Sequence, residues 1–571
     1  MSESPNWQVK TNDESLVAKL SKELSISTIT AKVLVNRKIT SIESAREFLN
    51  SDFKSVHHPF LLKDMDKAVY RIWQAMENGE KITVYGDYDV DGAVSTSLLL
   101  LFFRKVGHPI EYYIPCRLTE GYSLNNKAID KIKANGSSLI ITVDNGIMAH
   151  DEIDYANKLG IDVIVTDHHQ VAETLPNAYA VVNPQRKDCS YPFKGICGAG
   201  VAFKLLMGLR LWLRYEGFFD EREEPNLKQD LDLLSIATVC DMVPLVDENR
   251  FFVKVGLQQL RHRLKPGLKA LLKVSGTKED VTATDLGFRL GPRINACGRL
   301  EDASLGVQMM TSRDDEEAMR LAKVLDGLNI ERRELELDIV DEAVKQVEEQ
   351  IDLKSKLGIV VYAPEWHVGV VGIVASRLVE KFRRPAFVLC QVEGGMVKGS
   401  GRSITKVNLI KALRDSSDCL EKFGGHEAAA GVTLHADNVK SFSKAFDEAV
   451  KRQISFKDLS QTVWVDEDLS SKEIDRRLID ELKQLEPYGM GNSKPVFATE
   501  HVEVTSKRIV GEDHLKLKLK TGGKDIDAIA FRQAQHIGEV DQNSGLLFSL
   551  ELNEFRNIES IQMVVKNFIY D

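Results

Sequence analysis

Between residue 81 and about residue 243, short apolar runs alternate with longer amphipathic stretches. The runs at 82–85, 110–114, 139–143 and 161–165 have the length and β-branched content of buried strands. Residues 92–106, 124–134 and 151–159 carry apolar positions at helical spacing. Strands and helices alternating at this pitch predict βαβ units, hence a parallel sheet covered on both faces. The first of these helices contains AVSTSLLLLFF, is nearly all apolar, and is predicted to be buried. Two more helices, about 199–215 and 227–239, complete the unit.

Outside this unit the pattern changes character several times. Residues 14–24, 28–37 and 41–49 read as helices, with Ser41 as an N-cap, forming a small cap on the domain that follows. An amphipathic helix at 65–77 ends at Asn78 and Gly79. Residues 287–300 read as a loop with three arginines, and 314–350 as one charged helix about 55 Å long, a strut between domains. A second α/β unit follows at 357–452, with strands at 359–362, 386–390 and 396–400 and helices at 368–382, 406–413 and 438–452. From Thr462 onward five or six short β runs predict a small barrel. The predicted division is 1–56, 57–312, 313–351, 352–455 and 456–571.

With 571 residues, 43% of them hydrophobic and 28% charged, the chain has the composition of a soluble multidomain protein. Its apolar runs are too short to cross a bilayer, and MSESPNWQVK offers no export signal. Seven scattered cysteines without a CxxC pair predict reduced thiols in a cytoplasmic protein. The net charge of −10 argues against a uniformly basic nucleic-acid binder. Phosphate contacts depend on local Lys and Arg, however, and a metal-dependent nuclease must also carry acidic ligands.

The candidate chemistry lies at the ends of the apolar runs. The first ends in GDYDVDG, with Asp87, Asp89 and Asp91 on alternate positions. The next two end in Asp144-Asn145-Gly146 and in Thr166-Asp167-His168-His169. Ligands of open parallel sheets bind beyond the carboxyl ends of the strands, so these groups belong to one crevice. Carboxylates packed this closely repel one another unless a hard cation neutralises them. The spacing excludes an EF-hand.

In this order, GDYDVDG, VDNG, TDHH and ATVCDMVP (237–244) resemble the four motifs of the DHH phosphoesterase superfamily. GPRINACGRL (291–300) and FGGHEAAAG (423–431) resemble its bacterial single-strand-specific exonuclease branch. The resemblance implies a parallel-sheet DHH catalytic domain at 57–312, joined by the long helix to a DHH-associated α/β domain at 352–455. It also implies a C-terminal OB-fold at 456–571. The implied activity is metal-dependent hydrolysis of single-stranded DNA from the 5′ end to mononucleotides, in repair and recombination. A single-strand-binding protein and a RecQ-type helicase are the implied partners of a monomeric enzyme. The competing readings are a DHH phosphodiesterase acting on oligoribonucleotides or nucleotides, and an inactive single-strand-binding scaffold.

Phosphodiester hydrolysis needs an activated water, neutralised phosphate charge and help for the leaving oxygen, which two divalent ions about 4 Å apart supply. Asp89, Asp91, Asp144, His168 and Asp241 are the expected ligands, with Asp87 adjoining and Asp144 or Asp241 able to bridge. Oxygen ligands with one imidazole suit Mn²⁺ or Mg²⁺. Side chains alternate along a strand, so His168 and His169 are expected to diverge, His168 to metal and His169 to the scissile phosphate or a supporting contact. Asp167 is then free to orient an imidazole. Arg117, Arg293, Asn295 and Arg299 are candidate phosphate contacts. In the second unit His367, Ser400, Arg402, Gly425 and His426 are candidates, the glycines equally explained by close packing at a turn. Lys516 and Lys518 in HLKLKLK share one face, to track a phosphate backbone or to protect an edge strand.

Overall fold

The computed structural model describes residues 6–117, 120–121, 123–262, 265–459, 462–470, 472–500, 502–521, 524–540, 544–555 and 558–570. A short strand, β1 (Asn6–Val9), precedes three helices, α1 (Glu14–Leu24), α2 (Thr28–Asn36) and α3 (Ile42–Asn50). Asp13, Ser27 and Ser41 cap them by accepting backbone N–H groups of the first turn. After α4 (Met65–Glu77) come β2 (Ile82–Tyr85), α5 (Val90–Lys105), β3 (Glu111–Tyr113), α6 (Asn126–Ala134), β4 (Leu139–Val143), α7 (His150–Lys158), β5 (Asp162–Thr166) and β6 (Ala180–Val182). The strands form an all-parallel sheet in the order β3-β2-β4-β5-β6.

Strand alternation divides this sheet between two cores. Ile82, Val84, Leu139 and Ile141 pack with α5 and its neighbours, while Tyr85, Ile140, Val163 and Val165 pack with Ile129, Ile132 and Ile153 on the other face. Every residue of α5 from Val90 to Leu100 is buried, as its composition predicts. The first core continues through α8 (Gly198–Tyr215), α9 (Leu231–Cys240), α10 (Asp247–His262) and α11 (Pro266–Val274). A 3₁₀ turn at Leu227–Asp230 occupies the start of the helix predicted at 227–239.

The stretch 287–300, expected as a loop, is helical. From α12 (Ala283–Asp285) the chain runs through a π-helical turn, Leu286–Leu290, into α13 (Gly291–Leu300). Pro292 sits in the first turn, where its missing N–H is not needed. Gly298 is there for proximity: a Cβ would lie 2.4 Å from the Tyr88 carbonyl oxygen.

After α14 (Ser304–Thr311), α15 (Asp315–Gln350) is the long strut, 36 residues. Its first half contributes Ala318, Leu321, Ala322, Leu325 and Leu328 to the first core, and its second half gives Ile339, Ala343 and Val347 to the next domain. That domain comprises β7 (Ile359–Tyr362), α16 (Val371–Phe382), β8 (Ala386–Gln391), β9 (Met396–Arg402), α17 (Leu409–Arg414), β10 (Lys422–Gly425), β11 (Ala429–His435) and α18 (Val439–Lys451). Its sheet order is β10-β11-β9-β8-β7, parallel only between β7 and β8. Gly424 and Gly425, expected in a turn, end β10.

The C-terminal region holds β12 (Thr462–Val465), β13 (Glu467–Asp468), α19 (Arg476–Gln484), β14 (Phe497–Thr499), β15 (Glu503–Val510), β16 (His514–Thr521), β17 (Lys524–Ala530), β18 (Gly545–Phe555) and β19 (Ile558–Ile569). Seven strands, more than the five or six expected, form one sheet in the order β13-β14-β18-β19-β17-β16-β15. β12 stands apart and pairs in parallel with β1, from Asn6–Thr462 to Val9–Val465. The N-terminal helices correct a second expectation. Val17, Leu20, Ile29, Val33 and Leu34 share a core with Leu478, Leu515, Leu517, Phe548 and Met563, so these helices pack on the C-terminal sheet. Arg250 joins all three regions, donating to the carbonyls of Phe48, Gln484 and Leu485. Among the described residues no helix is long and apolar enough to cross a membrane.

Candidate active site

Neighbouring strands β2, β4 and β5 end side by side, and the chain beyond each turns into the same crevice. After β2, Asp89 caps α5: its Oδ1 accepts the N–H groups of Asp91 at 2.9 Å and Gly92 at 3.1 Å. The turn is too tight for a side chain at Gly92, whose Cβ would lie 2.5 Å from the Asp87 carbonyl oxygen. Asp91 serves a second helix, accepting from Gly198 N at 2.6 Å and Ala199 N at 2.8 Å at the start of α8. That helix end and its dipole favour the carboxylate's negative charge.

Asp144 follows β4 with φ +63°, a left-handed conformation that a non-glycine residue adopts at a cost. Asn145 secures this turn by donating to Val143 O at 2.9 Å and Tyr85 O at 3.3 Å. Past β5, buried Asp167 accepts from Ile147 N, His168 N and His169 N, and its Oδ1 lies 2.7 Å from His169 Nδ1. Asn183, just beyond β6, donates to His169 O at 2.9 Å. Asp241 caps the C-terminus of α9.

His168 Nε2 lies at the centre of these groups, 3.1 Å from Asp144 Oδ1, 3.7 Å from Asp241 Oδ2 and 3.8 Å from Asp91 Oδ2. Two trios meet here: Asp87, Asp89 and Asp144, and Asp91, His168 and Asp241, each with its potential ligand atoms within 4.8 Å of one another. Asp144 also groups with His168 and His169. The expected divergence of the two histidines is not observed. β5 ends at Thr166, so strand alternation does not govern them, and their rings lie 4.5 Å apart on one side.

The electrostatics record the crowding. Burial first, then the charge of Asp89, raises Asp87 well above the ordinary carboxylate range. Burial and Asp91 do the same to Asp144. Burial, Asp91 and Asp89 push Asp241 up to about 9, and burial also raises Asp91. Burial lowers His168. It opposes the charged form of His169 too, but hydrogen bonding to Asp167 prevails and raises it. Among the described residues, Asp87 Oδ1, His168 Nε2 and Asp241 Oδ2 are buried without a hydrogen-bond partner. Buried oxygens and an imidazole nitrogen left in this way fit hard divalent cations.

Beside the acids lies a group of arginines. The guanidinium of Arg117 stands over the Tyr88 ring, 5.1 Å from its centroid. Arg299, at the end of α13, donates to Gly369 O at 3.0 Å across the domain boundary. Burial, then the charges of Arg117, Arg332 and Arg402, push it down to about 10. Arg402 donates to Ser400 Oγ at 3.0 Å. A Cβ on Gly372 would lie 3.0 Å from Ser400 Oγ and 3.2 Å from Arg402 Nη2, so the first turn of α16 faces both residues. His367 Nδ1 accepts Gly369 N at 3.1 Å in the turn before that helix. Guanidinium groups crowded at a helix start form a receptor for an anion.

The other candidate contacts have the following partners. Arg293 is 2.8 Å from Asp326 on α15 and donates to Arg289 O, so it braces the strut. Asn295 accepts Val90 N at 3.0 Å, holding the acidic turn from behind. Gly425 and exposed His426 end the β10–β11 hairpin, where His426 N donates to Ala429 O; Ala429 pairs with Arg402 across the sheet, so this hairpin end stands beside the arginine group. Lys516 and Lys518 do share an outward face, above buried Leu515, Leu517 and Leu519. Lys516 is 3.6 Å from Asp527, and Lys518 lies opposite the same residue across the sheet. Sequence reading assigned no role to Tyr88, Asn145 or Asn183. The first two lie inside motifs already singled out, and Asn183 follows an apolar run in the same way as the acids do.

The comparisons with known proteins agree on a family. Family models match for the DHH family N-terminal domain over residues 81–238, the DHHA1 domain over 356–452 and the RecJ OB domain over 465–567. Single-stranded-DNA-specific exonuclease RecJ of Bacillus subtilis is 38% identical over 568 residues, 98% of this chain and 70% of the relative. The Escherichia coli protein of the same name is 40% identical over 522 residues, 89% of this chain and 90% of the relative. The crystal structure of Thermus thermophilus RecJ in complex with Mn²⁺ matches with a TM-score of 0.85 at 27% identity, covering 100% of this chain and 80% of that one. The Mg²⁺ complex gives a TM-score of 0.80.

Proposed function

This chain belongs to the RecJ family of single-stranded-DNA-specific exonucleases, and on that premise we propose that it hydrolyses single-stranded DNA from the 5′ end, releasing mononucleotides. The observation that carries the proposal is the convergence of two ligand trios, Asp144 of the first lying 3.1 Å from His168 of the second, next to a group of arginines. Asp87, Asp89 and Asp144 would hold one Mn²⁺ or Mg²⁺ ion, and Asp91, His168 and Asp241 the other. Two such ions, when bound, supply the nucleophilic hydroxide and neutralise charge on the scissile phosphate and leaving oxygen.

The protein's own groups position the strand. Arg117, Arg299 and Arg402, with Ser400 and the first turn of α16, grip the 5′ phosphate and so limit cleavage to the end of the strand. His169, held by Asp167 and biased toward its protonated form, donates to the scissile phosphate. Asp91 keeps its carboxylate aimed inward because two N–H groups of α8 fix it. In this reading residues 57–312 are catalytic, 313–351 join the domains, 352–455 supply part of the phosphate receptor, and 456–571 with the N-terminal helices guide the strand. The setting is DNA repair and recombination in the cytoplasm, as a monomer working with a single-strand-binding protein and a RecQ-type helicase.

A digest of labelled oligonucleotides tests the proposal, with Mn²⁺ or EDTA and with either end blocked, on DNA and RNA. Loss of cleavage with EDTA and with a 5′ block, but not with a 3′ block, is expected. Preferred cleavage of short RNA would favour a nucleotide phosphodiesterase, and strand binding without turnover would favour a scaffold.

A further inference from the structure

Arg117 lies four residues past β3, the edge strand beside β2, so it leaves the sheet at the same end as the acidic turn. Its charge bears on Asp87, Arg299 and Arg402, which places it beside both the acids and the other arginines. The guanidinium rests on the Tyr88 ring, a contact that fixes a plane but supplies no directed bond. An arginine seated in this way is aimed by the backbone that carries it.

Glu120 closes that backbone into a ring. Its Oε2 accepts Cys116 N at 3.0 Å while Glu120 N returns a bond to Cys116 O at 2.7 Å, so the turn is locked in both directions one residue from Arg117. Gly121, at φ +85°, bends the chain so that its own N–H reaches the same carbonyl at 3.2 Å. The other carboxylate oxygen, Oε1, accepts the Tyr113 hydroxyl at 2.8 Å and ties the ring to the last residue of β3. Tyr113 stacks on Tyr85, the last residue of β2, with ring centroids 5.5 Å apart, and its carbonyl accepts Gly86 N at 2.9 Å. Tyr85 holds the far end of the same excursion, its hydroxyl donating to Ser123 O at 3.1 Å. The strand that delivers the acids is thus connected through Tyr113 and Glu120 to the main chain beside Arg117. An ionised acceptor makes each of the two Glu120 bonds stronger than a neutral one would.

We propose that Glu120 is a positioning residue for the terminal phosphate: it touches neither substrate nor metal, and by locking the Cys116 turn it holds Arg117 where the 5′ phosphate is gripped. The inference rests on the exonuclease reading, in which Arg117 binds that phosphate, and adds the group that aims it. A guanidinium on a free loop would lose affinity to the cost of ordering the loop on each encounter, and a turn locked beforehand avoids that loss.

The test takes oligothymidylate with a 5′ phosphate and the same strand with a 5′ hydroxyl, in Mn²⁺, and measures the ratio of their kcat/KM values. Wild type is expected to favour the phosphorylated strand. Glu120→Ala should lower the ratio about tenfold, the lower end for a hydrogen bond to a charged group, and leave kcat/KM on the hydroxyl strand unchanged. Tyr113→Phe removes one Glu120 bond while keeping the stack on Tyr85, and should move the ratio the same way by less. In an Arg117→Ala background, Glu120→Ala should change the ratio no further, because both act through one contact. An unaltered ratio in Glu120→Ala, an equal loss on both strands at an unchanged melting temperature, or losses that multiply in the double variant would overturn the assignment. If Glu120→Ala fails to fold, seen as a lowered melting temperature with both strands uncut, Tyr113→Phe decides in its place, and an unaltered ratio there overturns the assignment. A wild type indifferent to the 5′ phosphate, or an Arg117→Ala variant with the wild-type ratio, would instead sink the phosphate-receptor reading, and this inference with it.

Discussion

Asp89 does two jobs through one carboxylate, capping α5 and facing the candidate metal site. Asparagine caps a helix about as well as aspartate but brings no charge. Asp89→Asn is therefore expected to melt near wild type and to lose activity by more than about 100-fold, the upper end for changes that merely support a ligand. An oligonucleotide digest beside a thermal melt checks both halves. The crowded acids also set a pH dependence. Asp241 is raised from 3.8 to about 9, and Asp87, Asp91 and Asp144 move in the same direction. A group raised in the folded state binds a proton that the unfolded chain has released. Its contribution is complete below the unfolded value and disappears as pH climbs through the folded one. Metal-free protein should thus lose stability from about pH 4 to about pH 9, and the rise in Tm on adding Mn²⁺ should grow over that window. Melts in EDTA and in Mn²⁺ at several pH values would show it; a Tm gain independent of pH would contradict it. Much of this site could be read in the chain, because a strand end marks its position in a parallel sheet and the acids sit at three such ends. The relation of His168 to His169 could not, since it turns on a strand stopping at Thr166, a tertiary outcome.

At the scale of elements, α15 is notable for its middle. Between its two apolar halves, Arg332 is buried, bonds to Asn329 at 2.8 Å, and pairs with Glu336. Arg377 of α16 reaches the same carboxylate at 3.0 Å. Burial already penalises Arg332, whose charge bears on Arg299. Removing Glu336 would leave that guanidinium buried without its counter-charge, so Glu336→Ala is expected to cost about 3 kcal/mol. Urea unfolding measures it, and a loss under 1 kcal/mol would show the network to be slack. The strut's length is plain in a charged, 3.6-periodic sequence. The helical nature of 287–300 is not, because its glycines and Pro292 look like loop residues until Tyr88 is seen pressed against Gly298.

For the whole molecule, the striking economy of contacts is between the two ends of the chain. Glu481 of α19 accepts from Ser27 N, Ser27 Oγ and Thr30 Oγ1 and pairs with Arg477. Val17, Leu20, Ile29, Val33 and Leu34 are buried in the C-terminal core. At about 2 kcal/mol each, their burial rivals the net stability of a whole domain, about 5–15 kcal/mol. Deleting residues 1–52 should open the amides of β14–β19 to hydrogen exchange while β2, β4 and β5 stay protected. Equal protection in both sheets would refute that. Periodicity shows that the N-terminal stretch is helical; it is silent on which distant surface completes its packing, and here the nearest domain in sequence is not the principal one.

The packing of α1 to α3 on the C-terminal sheet has a consequence for how the protein is made. Translation delivers α1 to α3 early, yet the last strands that cover them emerge roughly 25 to 100 s afterwards at ordinary elongation rates. For that interval the nascent chain carries helices whose apolar faces await a packing surface that has not yet been made.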